Sequence, residues 1–168
     1  KRISYGARAL IEGGLQSLPK MYIPGALLVG CDAGTLNMPK IKGSHTAMKS
    51  GIIAGETIVD HLINSIPLSD YEKRFNKSWL YKELYNARNV KPSFNWGLIP
   101  AIIFTGIDQI IFRGKLPFTL KHKHADHKSL KLAKESKKIE YPKYDGVYTF
   151  DKTSSVYLTG TNHEADQP

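Results

Sequence analysis

The stretch GALLVGCDAGTLNMPKIKGSHTAMKSGIIAGE, Gly25 to Glu56, constrains the chain most. It begins with a continuous apolar run, Ala26 to Val29, that stops at Gly30. A run of that length without polar alternation suits a strand buried on both faces, as in a sheet covered by helices. A polar loop holding Pro39 and Gly43 follows, and from Ser44 the hydrophobic period changes. Ala47, Met48, Ile52, Ala54, Thr57, Ile58, Val59 and Leu62 predict a helix of about five turns. Ala47, Gly51 and Gly55 share one face, and a face without bulk lets a backbone or a flat ligand come close. A strand, a loop and a helix start in this order form the unit with which α/β folds hold flat or phosphorylated ligands, because helix N-termini offer free N–H groups and partial positive charge. Plain helix-on-sheet packing satisfies the same pattern.

The rest of the chain adds elements of a different kind. Ser4 to Gly14 predicts a short helix capped by Ser4 and stopped by Gly13-Gly14. Asp70 to Asn89 predicts a second helix whose period Tyr71, Phe75, Trp79 and Lys82-Glu83 follow, with the aromatics read as core, Asp70 as cap and Pro92 as stop. Phe94 to Phe112 is the most apolar part, and Gly97, Pro100 and Gly106 argue against one smooth helix. Composition favours core here; the competing reading is a patch that dips into a membrane interface, with Arg113, Lys115 and Lys121 meeting headgroups. VYTF and SVYLTG, either side of DKTS, predict a C-terminal hairpin.

Charge and chemistry exclude several classes. The 168 residues carry 24 basic and 15 acidic side chains, a formal charge of +9, gathered in Lys121 to Lys138. Charge blocks are usually solvated, so a solvated surface with a long linker is the preferred reading. An anionic partner is the other, and the absence of aromatics among the lysines weakens a nucleic-acid reading. His122, His124 and His127, with Asp126, fit no standard zinc spacing. Cys31, the single cysteine, makes no internal disulfide. It could act as a nucleophile with His45 as base, or pack as a small hydrophobe. The sequence has no signal-peptide pattern and no apolar run of about 20 residues that would span a bilayer. Lys1 at its start points to a processed chain or a fragment.

Beyond these readings, VGCDAGTLNMPKIKGSHTAMKSGIIAGE resembles the second FAD-binding segment of the electron transfer flavoprotein–ubiquinone oxidoreductase family. Cys31 stands where the wider flavoprotein superfamily has the first Asp of its GDAAG motif, and Ser44 replaces the Thr of KIKGTHTAMKSG. YGARAL, EGG-x-QS-x-P, SW-x-YKEL, R-x-x-x-PS, FTG, LKHK, IEYPK-x-DG and GTNHE-x-DQP carry the likeness along the whole chain. The resemblance implies an internal to C-terminal piece of a glutathione-reductase-like, FAD-dependent fold, α/β plus α+β, with a quinone and membrane region. Residues 1–64 would close the FAD domain, 65–145 form the quinone and membrane region, and 146–168 approach a ferredoxin-like cluster domain that is itself absent.

Electrons would pass from reduced electron transfer flavoprotein, through FAD and a [4Fe–4S] cluster ligated outside this chain, to ubiquinone, at the matrix side of the inner mitochondrial membrane. By position, Asp32, Gly34, Asn37, Gly43, Ser44, His45 and Thr46 would line FAD, and Gln16 would approach its isoalloxazine. The likeness reverses the preference for core: Trp96, Leu98, Ile99, Ile102, Ile103 and Phe104 become the membrane-dipping surface. Asp108 and Gln109 stand where the family would place apolar or aromatic side chains, which leaves the second half of that surface open. A FixC-like or geranylgeranyl-reductase-like flavoprotein, or a basic membrane- or nucleic-acid-binding module without redox chemistry, are the alternatives.

Overall fold

The computed structural model describes residues 5–6, 9–122, 128 and 130–160. It is mostly helical with one small sheet, and it divides into two units. The larger covers Leu10–Ala125; the smaller combines Lys1–Ala9 with Asp126–Pro168.

In the larger unit, β1 (Tyr22–Ile23) and β2 (Ala26–Leu27) form a two-stranded antiparallel hairpin, with Tyr22 opposite Leu27. The apolar run Ala26 to Val29 is thus a hairpin arm rather than a strand buried on both faces. Burial on both faces needs strand neighbours and covering layers, and this arm has one partner, so Leu28 and Val29 stay exposed. The described part of residues 4–14 holds no helix; a single 3-10 turn, Leu15–Ser17, follows instead.

Helix α1, Ser44–Asn64, realises the predicted period over 21 residues. It buries Thr46, Ser50, Ile53, Ala54 and Thr57. The face holding Gly51 and Gly55 lies open, since a Cβ added at either would meet nothing within 4 Å. α2 (Asp70–Lys77) and α3 (Trp79–Asn86) replace the single predicted helix. Ser78 breaks it: its backbone is extended, and its hydroxyl accepts the Tyr81 amide as N-cap of α3. The break rotates Trp79 out of the core to 47% exposure, while Tyr71 and Phe75 remain fully buried. Met21, Ile53, Ala54, Tyr71, Phe75, Leu80 and Leu84 form the core. Two polar ties close it. Met21 N–H donates to Glu72, and Arg74 bridges Asp60 of α1 and Asp70 of its own helix, holding both carboxyls below their usual range.

Pro92 does not stop the chain. It lies inside α4 (Val90–Ser93), in the first turn, where a missing amide costs no intrahelical bond. A 3-10 turn, Phe94–Trp96, leads to Gly97, whose φ of 97° makes the one sharp break in the apolar stretch. Pro100 sits in the first turn of α5 (Leu98–Gly106), again where no donor is needed, and Gly106 passes straight into a π-helical segment, Ile107–Ile111. No helix among the described residues is long and apolar enough to cross a membrane.

The smaller unit holds α6, Lys152–Leu158, where a hairpin was predicted. Asp151 decides this locally: one carboxylate oxygen accepts the Ser154 amide and the other its hydroxyl, a helix N-cap. Tyr5 packs onto this helix end through its amide to Thr159 and its hydroxyl to Ser155. The basic residues described between Lys128 and Lys138 are exposed, with one 3-10 turn at Ala133–Glu135. His124, Asp126 and His127 lie outside the described residues.

Candidate functional site

The loop between β2 and α1 is built from short-range turns. Gly30–Ala33 is a 3-10 turn ended by Gly34 at φ 88°, a left-handed position that favours glycine. Asn37–Lys40 forms the next turn: the Asn37 side chain accepts the Lys40 amide, and Asn37 and Lys42 exchange backbone hydrogen bonds. Gly43 then precedes α1. A Cβ there would lie 2.8 Å from the Cys31 sulfur, so the first turn of the loop and the start of the helix pack in direct contact. Ser50, one and a half turns into α1, ties the two again by accepting the Gly30 amide at 2.9 Å.

No side chain caps α1 from Gly43. The amides of its first turn have no intrahelical acceptor and carry the positive end of the helix dipole. Thr35, in the same loop, is fully buried, and its hydroxyl has no hydrogen-bond partner. Such a group is a candidate for a ligand contact.

The structure brings Asn37 and His45 together on a residue that sequence reasoning placed on a helix but not at the site. Glu83 of α3 accepts from Asn37 Nδ2 at 2.6 Å, contacts His45 Nε2 at 2.9 Å and accepts from Lys40 Nζ at 3.2 Å, all through Oε1. Burial pulls the Glu83 carboxyl upward, but the hydrogen bonds from His45, Asn37 and Lys40 outweigh it and hold it below the usual range. Trp79 stacks flat on the His45 ring, with centroids 5.9 Å apart and planes at 5°. His45 Nε2 therefore faces Glu83, not Cys31. Cys31 is a half-buried thiol packed against Gly43.

Of the other expected residues, Asp32 lies exposed on the first turn, Ser44 is exposed and Thr46 is buried, its hydroxyl on the Gly43 carbonyl. Gln16 is turned elsewhere. Its amide donates to the carbonyls of Arg88 and Leu120.

The apolar stretch presents a second feature. Leu98, Ile99, Ile102 and Ile103 project from α5 into solvent, and Trp96 packs edge-on against Phe104 at 5.2 Å. The π-helical segment carries the surface on through Ile110, Ile111 and Phe112, with Ile110 78% exposed. Asp108 and Gln109 do not interrupt it, because both turn inward: Asp108 is fully buried and Gln109 donates to the Asn86 carbonyl. Among the described residues no group of histidine, cysteine and carboxylate side chains could hold a metal.

Comparison with known proteins bears on both features. The chain is 54% identical, over its whole length, to a protein of Bos taurus named electron transfer flavoprotein-ubiquinone oxidoreductase, mitochondrial. It is 52% identical over its whole length to the Homo sapiens protein of that name, and 48% identical over 99% of its length to that of Oryza sativa. Along its whole length the chain is related to electron transfer flavoprotein–ubiquinone oxidoreductases. It spans 29% of the length of each of these three relatives. No family model matches the chain. The relatedness runs through both the Gly25 to Glu56 segment and the apolar stretch, so both features lie within the matched length.

Proposed function

We propose that the chain is part of an oxidoreductase that accepts electrons from reduced electron transfer flavoprotein and delivers them to ubiquinone. The observation that carries this reading is the 54% identity, over the whole of the chain, to an oxidoreductase of that name. On this reading residues 1–64 close an FAD domain of the glutathione-reductase type, 65–145 form the quinone and membrane region, and 146–168 lead toward an iron–sulfur domain. A [4Fe–4S] cluster would take its cysteines from outside this sequence, whose one thiol cannot ligate it alone.

The loop and the α1 start fit a flavin. Bound FAD supplies a centre that takes up and releases electrons and gains negative charge at N1 and its neighbouring carbonyl on reduction. The first-turn amides of Ser44, His45 and Thr46 offer N–H groups and a positive dipole end to that charge. Gly34 and Gly43 let the loop pack tightly, Gly34 against Ile11 and Leu18 and Gly43 against Cys31 and Leu36, and the unpartnered Thr35 hydroxyl would supply a further polar contact. Asn37 and His45 contribute through their backbone and position, because their side chains are engaged by Glu83.

The exposed surface of α5 and the π-helical segment supports attachment to one leaflet of a membrane rather than passage through it. Trp96, Leu98, Ile99, Ile102, Ile103 and Phe104 would enter the interface, with Arg113 and Lys115 at headgroup level. The names of the relatives support a mitochondrial location; the matrix face of the inner membrane is the finer placement we propose for this surface.

The test uses the natural full-length protein. It should purify with flavin absorbance, be reduced by reduced electron transfer flavoprotein, and be reoxidised by a soluble ubiquinone analogue. It should also sediment with cardiolipin-containing vesicles, and an Ile99→Asp/Ile102→Asp double variant should stay in the supernatant with its flavin intact. Absence of flavin, or electron flow indifferent to quinone, would refute the reading.

A further inference from the structure

We infer that Glu83 is the positioning residue of the candidate cofactor loop, holding both the loop and the start of α1 from helix α3. The inference rests on the reading that a flavin binds at this loop, and it adds a residue from a different part of the chain. Three donors from two segments converge on one Glu83 oxygen: Asn37 and Lys40 from the loop, and His45 from the second position of α1. The Glu83 side chain is 19% exposed, so water competes weakly for it. Asn37 is itself buried and uses its other side-chain atom to close the Asn37–Lys40 turn. A shift of Glu83 is therefore transmitted to the turn through Asn37 and to the helix start through His45.

Helix α3 grips His45 twice. Trp79 and Glu83 stand four residues apart, on one face of the helix. Trp79 covers the plane of the imidazole, and Glu83 takes its edge at Nε2. A carboxylate kept ionised accepts, so Nε2 must carry a proton. Glu83 thus fixes the tautomer as well as the orientation of the ring. Neither effect requires Glu83 to touch a cofactor.

The experiment is FAD titration of the flavin-stripped full-length protein, wild type against Glu83→Ala, Glu83→Gln and, as control, the exposed neighbour Lys82→Gln. Leaving three polar donors without their acceptor loosens the loop. Glu83→Ala is expected to weaken FAD binding about tenfold or more and to shift the visible band of the bound flavin. Glu83→Gln keeps one acceptor oxygen and should recover part of the affinity; Lys82→Gln should bind as wild type. ¹⁵N spectra of the flavin-free protein should show the Nε2–H form of His45 in the wild type and a tautomer mixture in Glu83→Ala. A Glu83→Ala protein with wild-type affinity, band and tautomer overturns the inference alone; should that variant not fold, wild-type values in Glu83→Gln do the same. A wild-type protein that takes up no FAD overturns the flavin reading, and this inference falls with it.

Discussion

Arg88 offers a direct measure of what shapes the end of the apolar region. It is 5% exposed, with its guanidinium 4.0 Å from the centre of the Tyr85 ring. It makes five hydrogen bonds: to the Thr119 hydroxyl and to the carbonyls of Tyr85, Gly114, Leu116 and Phe118. Asn89 adds two more, donating to Phe118 and accepting the Leu120 amide. Arg88→Met keeps the bulk and removes the fork. The Leu116 and Phe118 carbonyls can turn to water, but the buried Gly114 carbonyl cannot, and stranding it costs about 1–3 kcal/mol. The recoverable bonds add about 0.5–1.5 kcal/mol each. Relief of a buried charge gives part of that back, which leaves a net loss of about 3 kcal/mol. That is a large share of an ordinary domain's stability of about 5–15 kcal/mol.

Urea unfolding is the assay, and the midpoint should fall by about 1–2 M. Hydrogen exchange should show the Leu120 amide losing protection first. Arg88→Lys separates charge from shape: one ammonium cannot reach acceptors spread over Gly114 to Thr119, so it should lose most of what Met loses. A loss below about 1 kcal/mol in Arg88→Met, or unchanged Leu120 protection, would refute the clamp.

Three further outcomes follow from particular atoms. Gly114 has φ 71°, and a Cβ there would clash with the Asn86 carbonyl group, so Gly114→Ala should cost more than about 2 kcal/mol in chemical unfolding. Asp108 is buried with one carboxylate oxygen unpartnered, so Asp108→Leu should raise the melting temperature, by an amount equivalent to about 1–2 kcal/mol. The Asp145 carboxylate accepts the amides of Thr149, Val147 and Tyr148, which lower its pKa to about 2 from an ordinary 3.8. A depressed carboxylate stabilises the fold above its unfolded value and loses that effect as the pH falls through the folded one. The 145–149 turn should hold at pH 5 and loosen between about pH 4 and pH 2, read from the amide shifts of Val147 and Tyr148.

How far these features were legible depends on the distance over which each is decided. Helix α1 was legible because its period runs unbroken for 21 residues. The α2–α3 break was not: Tyr71, Phe75 and Trp79 keep helical spacing across it, and the Ser78 cap is a single local hydrogen bond that the spacing hides. The tail fails for the converse reason. Its Val, Tyr and Thr residues suit a strand, but Asp151 caps a helix and no partner strand lies beside it among the described residues. Pro92 and Pro100 mark first turns, and only position within an element tells such a proline from a stop. At the candidate site the loop and the helix start could be read locally, whereas Glu83 could not. Its pairing with Asn37 spans 46 positions, and nothing in the spacing of a carboxylate names a partner at that separation.

Helix α3 connects these observations. Its N-terminal turns hold the cofactor loop through Trp79 and Glu83. Its C-terminal end and the residues after it hold the apolar region. Asn86 receives Gln109 and sits against Gly114, Arg88 gathers Gly114 to Thr119, and Asn89 fixes Leu120. An eight-residue helix is about 12 Å long and does not stretch. The loop proposed for the flavin and the surface proposed for the membrane are therefore set at a fixed separation by one short rod with polar clamps at both ends. A change at Glu83 should disturb the loop without exposing the Leu120 amide, and a change at Arg88 should do the reverse. If either substitution perturbs both ends equally, α3 is not a spacer but part of one cooperative core, and the separation of the two features is set elsewhere.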